Sequence, residues 1–311
     1  MAEHQRHQRE QEEKQWTDAT IRWSEEEGVP QQQSAEEEEA VFDPFADPDP
    51  TETFSFSFER PAYGDDDGDG DNGSSSKKIH LNIQGYKTHS DQVWSSTGLT
   101  LWKASQYLCD YMVEHAHELQ HKRILELGAG LGLNGLLAHL LAPDTMTDGD
   151  TDALVQLRKN IEVNRTTTKV SARQLLWGEE TSQSFLGSLR DAGSGGEDHR
   201  FEVIIASDIV YAKVVIEPLW QTIRNLLHPD GAFWMAFARR RVPVSIDFVL
   251  EKSKEFGFKY KLMVEHPCEG NEEDESDNGK MGQNPDIEDA AGADHIYIYV
   301  FQWETSVGNA S

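Results

Sequence analysis

Three glycines and a few acids in the middle of this chain have the types and spacing that do chemistry. In "RILELGAGLGLNGLLAHLL" (Arg123–Leu141), Gly128, Gly130 and Gly132 follow a short apolar run and precede an apolar stripe. Such a turn lets a ligand approach the backbone without Cβ interference, and it stands at the carboxyl end of a strand, where parallel sheets bind ligands. The diphosphate fingerprint G-x-G-x-x-G requires glycine at position 133, where this chain has Leu133. Glu126 lies at the mouth of the turn, and a carboxylate there repels phosphate and attracts a cation. Asp148 closes "TMTD" 20 residues after Gly128, in place to accept both hydroxyls of a ribose. Capping of the next helix is the competing use for an acid in this stretch, and Asp150 and Thr151 are candidates for it as well.

Two more groups complete the set. Trp177 ends "SARQLLW", and its indole is wide enough to cover one face of an adenine, although a core position is the commoner fate of a lone tryptophan. "SDIVY" then places Ser207 and Asp208 at the end of a strand beside the first, with Tyr211 one turn on. A helix N-cap for Asp208 and a core position for Tyr211 are the structural alternatives. Together these residues describe a site for a nucleoside with a positively charged, unphosphorylated tail, and S-adenosylmethionine meets that description.

The elements that must position these residues alternate. Apolar runs "RILEL", "TMTD", "SARQLLW", "FEVIIASD" and "GAFWMAFA" are separated by amphipathic stretches "LNGLLAHLLA", "DALVQLRKNIEVN" and "VIEPLWQTIRNLL", and "SIDFVLEKSKEFG" follows. Strand–helix alternation builds a parallel sheet covered on both faces, because right-handed crossovers place helices where they bury their stripes. "FKYKLMVEH" and "DHIYIYVFQW" follow each other without a helix, which predicts an antiparallel hairpin at one edge. Upstream, Phe54, Phe56 and Phe58 alternate, as do Ile79, Leu81 and Ile83, which predicts a second hairpin. Between it and the glycine turn, "TGLTLWKASQYLCDYMVEHAHEL" has Leu101, Ser105, Leu108 and Met112 at helical spacing.

Charge divides the 311 residues further. Met1–Ser76 holds 22 Asp and Glu against 5 Lys and Arg, and Glu269–Asp294 holds 10 acids and one Lys, so these two stretches contain nearly all of the net charge of −28. Their Glu and Gln blocks cannot bury enough apolar surface to offset chain entropy. The expected organisation is an acidic disordered tail over 1–50, a β-hairpin extension with an acidic loop over 51–96, and one domain over 97–305 with an acidic insertion at 269–294. The run Gly64–Ser76 lacks the Glu that closes a calcium loop, and Cys109 and Cys268 are too few for a disulfide framework or a metal cluster, so no metal is expected. No apolar run reaches the ~18 residues of a membrane span.

In combination, "TGLTLW", "ELGAGLGLNG", "TDGDTDALVQLRKNIEVN", "LLWG", "SDIVY" and "HIYIYVF" resemble methyltransferase family sixteen, the methyltransferase-like seven-β-strand protein-lysine methyltransferases, from about Thr97 to Trp303. The resemblance implies an α/β fold, the Rossmann-like class I methyltransferase sheet of seven strands with a terminal antiparallel hairpin. It implies that Trp102, Glu126 and the turn Gly128, Ala129 and Gly130 contact the cofactor. Asp148 would then hold its ribose, Trp177 border its adenine, and Ser207, where family members often have Ala, lie against the adenine or methionine part. Asp208 and Tyr211 match the family's D-x-x-Y motif, where the acceptor amine enters.

The expected function is transfer of a methyl group from S-adenosylmethionine to a lysine of a non-histone protein. The alternatives are a small-molecule N-methyltransferase, a protein-histidine methyltransferase and a non-catalytic cofactor-binding module. Leu133 and the terminal hairpin disfavour a nicotinamide-dependent oxidoreductase, and "SDIVY" with the acidic balance disfavours a nucleic-acid substrate. The expected partner is a protein substrate, basic or chaperone-associated, with no nucleic acid and no membrane. The chain is expected to be a monomer in the cytoplasm, with a nuclear pool left open.

Overall fold

The computed structural model describes residues 50–60, 77–87, 96–141, 144–164, 170–192, 198–239, 244–267 and 295–304. Residues 1–49 of the acidic tail and the runs at 64–76 and 269–294 lie outside these residues. β1 (Thr51–Arg60) and β2 (Lys77–Tyr86) form a two-stranded antiparallel sheet. After a 3-10 turn at Thr97–Leu99 come α1 (Lys103–Glu114) and the short α2 (Ala116–Leu119). The alternating part then runs through β3 (Ile124–Leu127), α3 (Leu133–Leu141), β4 (Asp144–Asp148), α4 (Thr151–Val163), β5 (Ser171–Gln174) and α5 (Glu179–Ala192). It continues with β6 (Phe201–Ser207), α6 (Ile216–Leu226), β7 (Leu227–Arg239) and α7 (Ile246–Glu255), and ends in β8 (Phe258–Pro267) and β9 (His295–Trp303).

Seven strands make one sheet in the order β5-β4-β3-β6-β7-β9-β8. β3 to β7 are parallel to one another, and β9 is antiparallel to both β7 and β8. The predicted hairpin is therefore present, with its second strand inserted beside β7. β3 is buried at every position, as a central parallel strand covered on both faces must be. The chain leaves β3 in one direction through β4 and β5 and returns to its other side with β6. The β3/β6 boundary is thus the point where strand order reverses, and open α/β sheets bind ligands at the strands' carboxyl ends at such a point.

Side-chain parity divides the core into two layers. Ile124, Val203, Ile205, Trp234 and Ala236 face one way, toward α1, α3, α4 and the N-terminal hairpin. Leu125, Leu127, Ile204, Phe233 and Met235 face the other way, toward α5, α6 and α7. On that second face Trp220 meets Phe233, Phe258 and Phe301 at ring-centroid distances of 5.9, 5.4 and 5.0 Å.

The structure adds one element that periodicity did not predict. α5 follows Trp177 and buries Phe185 and Leu186, but part of its contact with α6 is polar, with Asn225 Nδ2 donating to Ser182 Oγ at 2.9 Å. Serine at a core position hides the helical stripe from a hydrophobicity pattern.

In the N-terminal hairpin Phe54 pairs with Ile83, Phe56 with Leu81 and Phe58 with Ile79, and all six side chains are buried. Each contributes on the order of 2 kcal/mol by leaving water, so the hairpin is part of the core. Phe56→Ala is expected to lower the unfolding free energy by ~3 kcal/mol or more. Ser55→Ala, on the outer face, should change it by less than about 0.5 kcal/mol. Urea denaturation of the two variants checks both values.

Candidate functional site

The glycine turn is held by groups that reach it from outside. Gly128 and Gly130 adopt φ of +64° and +51°, a region that residues with a Cβ rarely enter. Space enforces the same choice, because a Cβ on Gly128 would stand 2.6 Å from Ile209 Cγ2 and 3.7 Å from Trp177 Cζ2. A Cβ on Gly130 would stand 3.1 Å from the carbonyl oxygen of Gly98. The "TGL" turn, the residues after β6 and the tryptophan after β5 therefore converge on the glycine turn. Trp102 Nε1 donates to the Thr97 carbonyl at 2.9 Å, which places Trp102 as the brace of the "TGL" turn.

Asp148 ends β4 facing the same turn. Its Oδ2 accepts from Gly130 N at 2.8 Å and its Oδ1 from Asp150 N at 3.0 Å. Capping of α4 falls to Asp150, whose Oδ1 accepts from Asp152 N and Ala153 N, so Asp148 is released from that duty. Burial pushes the Asp148 carboxyl above its ordinary range, against the opposing pull of N–H groups from Asp150, Gly130 and Gly149. Each oxygen keeps a lone pair beyond its backbone bond, which is what acceptance of two vicinal hydroxyls requires.

Glu126 lies deeper than a position at the mouth of the turn. It is buried on the α3 face of β3, where its carboxylate approaches Gly135 in the first turn of that helix. A negative charge beside a helix N-terminus is favourable, and its effect on a bound cation would act at longer range. Ser207 Oγ donates to Asn134 Oδ1 at 2.9 Å, and Asn134 Nδ2 donates to the Ser105 carbonyl at 2.7 Å and contacts Cys109 Sγ at 3.2 Å. Ser207 thus locks the end of β6 to α3 and α1. Burial pushes the Cys109 thiol well up, which keeps it neutral within this network.

Asp208 adopts φ of +58°, and its N–H donates to the Ala236 carbonyl at 2.9 Å. No helix starts there, and the 3-10 turn at Lys213–Val215 is preceded by Ala212, so Asp208 is not an N-cap. A non-glycine residue in this region marks a conformation imposed by its surroundings. Tyr211 is not core, since 39% of its surface is exposed. Its hydroxyl lies against Thr97 with Asp148 and Asp150 nearby, and burial of that end raises its pKa, so the phenol stays protonated.

Sequence patterns did not single out Asn134, Asn160, Gly98 or Ile209. Two of them left a trace. Asn160 and Asn164 are asparagines four apart on one helix face, and Asn134 interrupts an apolar stripe.

A sheet of this order, with a glycine turn at the reversal point and an acid ending each neighbouring strand, is the class I methyltransferase fold. Residues 84–255 match the model of a family described as lysine methyltransferase, and the chain belongs to that family. It is 33% identical over 166 residues to the protein-lysine N-methyltransferase EFM6 of Saccharomyces cerevisiae, covering 47% of this chain and 66% of that one. It is 32% identical over 186 residues to the protein N-lysine methyltransferase METTL21A of Xenopus tropicalis, covering 56% and 79%. Identity to the calmodulin-lysine N-methyltransferase of Arabidopsis thaliana is 28% over 174 residues, covering 54% and 53%.

The raised Asp148 pKa gives a pH signature. A protonated carboxyl loses acceptor capacity, so affinity for an adenosine-bearing ligand should fall as pH drops through a value above the ~3.9 of a free aspartate. Asp148→Asn should bind more weakly and with little pH dependence. Calorimetric titrations of both proteins across that range test the assignment, and an equally steep pH dependence in the variant would refute it.

Proposed function

We propose that this chain transfers methyl groups from S-adenosylmethionine to a lysine side chain of another protein. The observation that carries the reading is Asp208, held at φ of +58° at the carboxyl end of β6, with Ile209 pressed against Gly128 of the cofactor turn. An acid is thereby fixed beside the turn at the sheet's reversal point, at a cost in backbone strain that a structural role alone does not explain.

The residues present fit the cofactor. Among the described groups that touch the turn, which include Gly98, Thr147, Asp148, Asn160, Trp177 and Ile209, none brings the positive charge that a diphosphate needs. The Asp148 carboxylate suits a ribose, and the Trp177 indole against Gly128 suits the flat face of a base. The chemistry supplied by S-adenosylmethionine when bound is an electrophilic methyl group on a cationic sulfonium.

The chain's own contribution is mainly alignment of the acceptor. A free lysine amine has a pKa of about 10.4, and it must be neutral to attack. Burial in the crevice favours the neutral form. Asp208 accepts a hydrogen bond from the amine and points its lone pair at the methyl position. Tyr211 walls the channel beside it, and its protonated hydroxyl rules it out as a base, so the amine proton leaves to water. Asp150 near Tyr211 adds negative charge at that end, which favours a lysine on a basic protein surface. The three relatives named above are each a protein-lysine methyltransferase, which supports the same acceptor class.

Incubation with a radiolabelled methyl donor and a cell extract, followed by mapping of the labelled residue, tests the assignment. Label on lysine is expected, and label confined to nucleic acid or small molecules would reject it. Asp208→Ala should reduce transfer by about 100-fold or more while its affinity for S-adenosylhomocysteine stays within about threefold of wild type. Wild-type turnover in that variant removes the role given to Asp208.

A further inference from the structure

One buried side chain hydrogen-bonds both the N-terminal hairpin and the glycine turn, beside the packing of Leu131 on Gly85 of β2. Asn160, fully buried on α4, uses every polar atom of its amide between the two. Its Oδ1 accepts from Gln84 N at 2.9 Å, and its Nδ2 donates to the Gln84 carbonyl at 3.0 Å and to the Leu131 carbonyl at 2.9 Å. Gln84 belongs to β2 and Leu131 lies between Gly130 and Gly132.

One turn later on α4, Asn164 repeats half of this arrangement. Its Oδ1 accepts from Asn82 N at 2.9 Å and its Nδ2 donates to the Asn82 carbonyl at 2.8 Å. Alternate residues of a strand expose their N–H and C=O on one edge, and two asparagines four apart on a helix match that spacing. The pair closes an edge of β2 that would otherwise be unpaired. The two differ in one respect. Asn164 spends its remaining bond on the Asn160 carbonyl of its own helix, whereas Asn160 spends it on the cofactor turn.

Further contacts reinforce the connection. Thr100 Oγ1 donates to the Tyr86 carbonyl at 3.0 Å, and Thr100 bridges Tyr86 in parallel register, so the end of β2 also reaches the "TGL" turn that lies on Gly130. The hairpin thus touches the glycine turn from two sides.

We propose that Asn160 is a positioning residue that couples the N-terminal hairpin to the cofactor turn, so that docking of the hairpin and binding of the adenosyl cofactor strengthen each other. The proposal rests on the reading of the turn as a cofactor site. Linkage makes the coupling reciprocal: whatever the hairpin adds to cofactor affinity, the cofactor adds to hairpin docking. Asn164 fastens the same strand without touching the turn, and it is the internal control.

The test uses the full chain in three forms, wild type, Asn160→Ala and Asn164→Ala. Calorimetric titration with S-adenosylhomocysteine should show binding weakened about tenfold or more by Asn160→Ala and less than about twofold by Asn164→Ala. In turnover, Asn160→Ala should raise KM for the methyl donor while kcat and KM for the acceptor stay near wild type, a split that general loosening would not produce. Equal affinity in a folded Asn160→Ala overturns the coupling. A wild-type chain that takes up no S-adenosylhomocysteine overturns the reading of the site and the coupling with it.

Hydrogen exchange on the wild type decides the matter even if Asn160→Ala fails to fold. Addition of S-adenosylhomocysteine should slow exchange of the Gln84 amide together with that of Gly130. Protection confined to Gly130, with Gln84 unchanged, overturns the proposal.

Discussion

A turn made of glycine backbone cannot hold itself, and the rest of this structure depends on that constraint. Between Gly128 and Gly132 only Ala129 and Leu131 have side chains to pack, so the position of the turn is set by those two and by hydrogen bonds from neighbours. Ala129 N donates to the Thr147 carbonyl and Gly130 N to Asp148 Oδ2, both from the end of β4. Gly132 N closes the turn on the Ala129 carbonyl, and the Leu131 carbonyl accepts from Asn160 on α4. The outside anchors lie on β4 and α4, so the loop is only as well placed as the packing of those two elements on the sheet. The two-layer core is what turns that packing into a fixed position.

Asp148 shows how structural duties can leave one group with acceptor capacity to spare. Its carboxylate holds the turn through Gly130 and the start of α4 through Asp150, and each bond favours the charged form that burial opposes. Were Asp148 the helix cap as well, its oxygens would be fully committed to amides. Asp150 takes that role two residues later and leaves acceptor capacity facing the crevice. The division between the two acids is visible only in three dimensions, because either residue satisfies the preference for an acid at an N-cap.

That case shows where sequence reasoning stops. The strand–helix alternation, the glycine turn, the terminal hairpin and the Phe and Ile rows of the N-terminal hairpin were all legible, because each rests on a short-range period or on a residue with one conformational use. The acids at 148 and 208 were legible by their place at strand ends. Helix α5 was not, since Ser182 faces Asn225 where a pattern looks for an apolar side chain. Glu126 was placed too near the surface, because its depth depends on how closely α3 approaches β3 at Gly135. Asn134 and Asn160 were missed for a related reason. A buried asparagine is defined by partners about 25 to 76 positions away, Cys109 and Ser105 for one and Gln84 for the other, and no local rule connects them.

Asp208 closes the argument from the opposite direction. Its left-handed backbone costs on the order of 1 kcal/mol, and glycine would remove that cost. The conformation is held because β6 pairs with β7 through Ser207 and Ala236, and the Asp208 N–H continues that ladder onto the Ala236 carbonyl before the chain turns away. Ser207, fixed through Asn134 to α3, prevents the end of β6 from relaxing. Strain at residue 208 is therefore maintained by the sheet on one side and a buried amide on the other. The turn that follows sends Ile209 against Gly128, so the same distortion that fixes Asp208 also closes the glycine turn, and neither feature can be adjusted without the other.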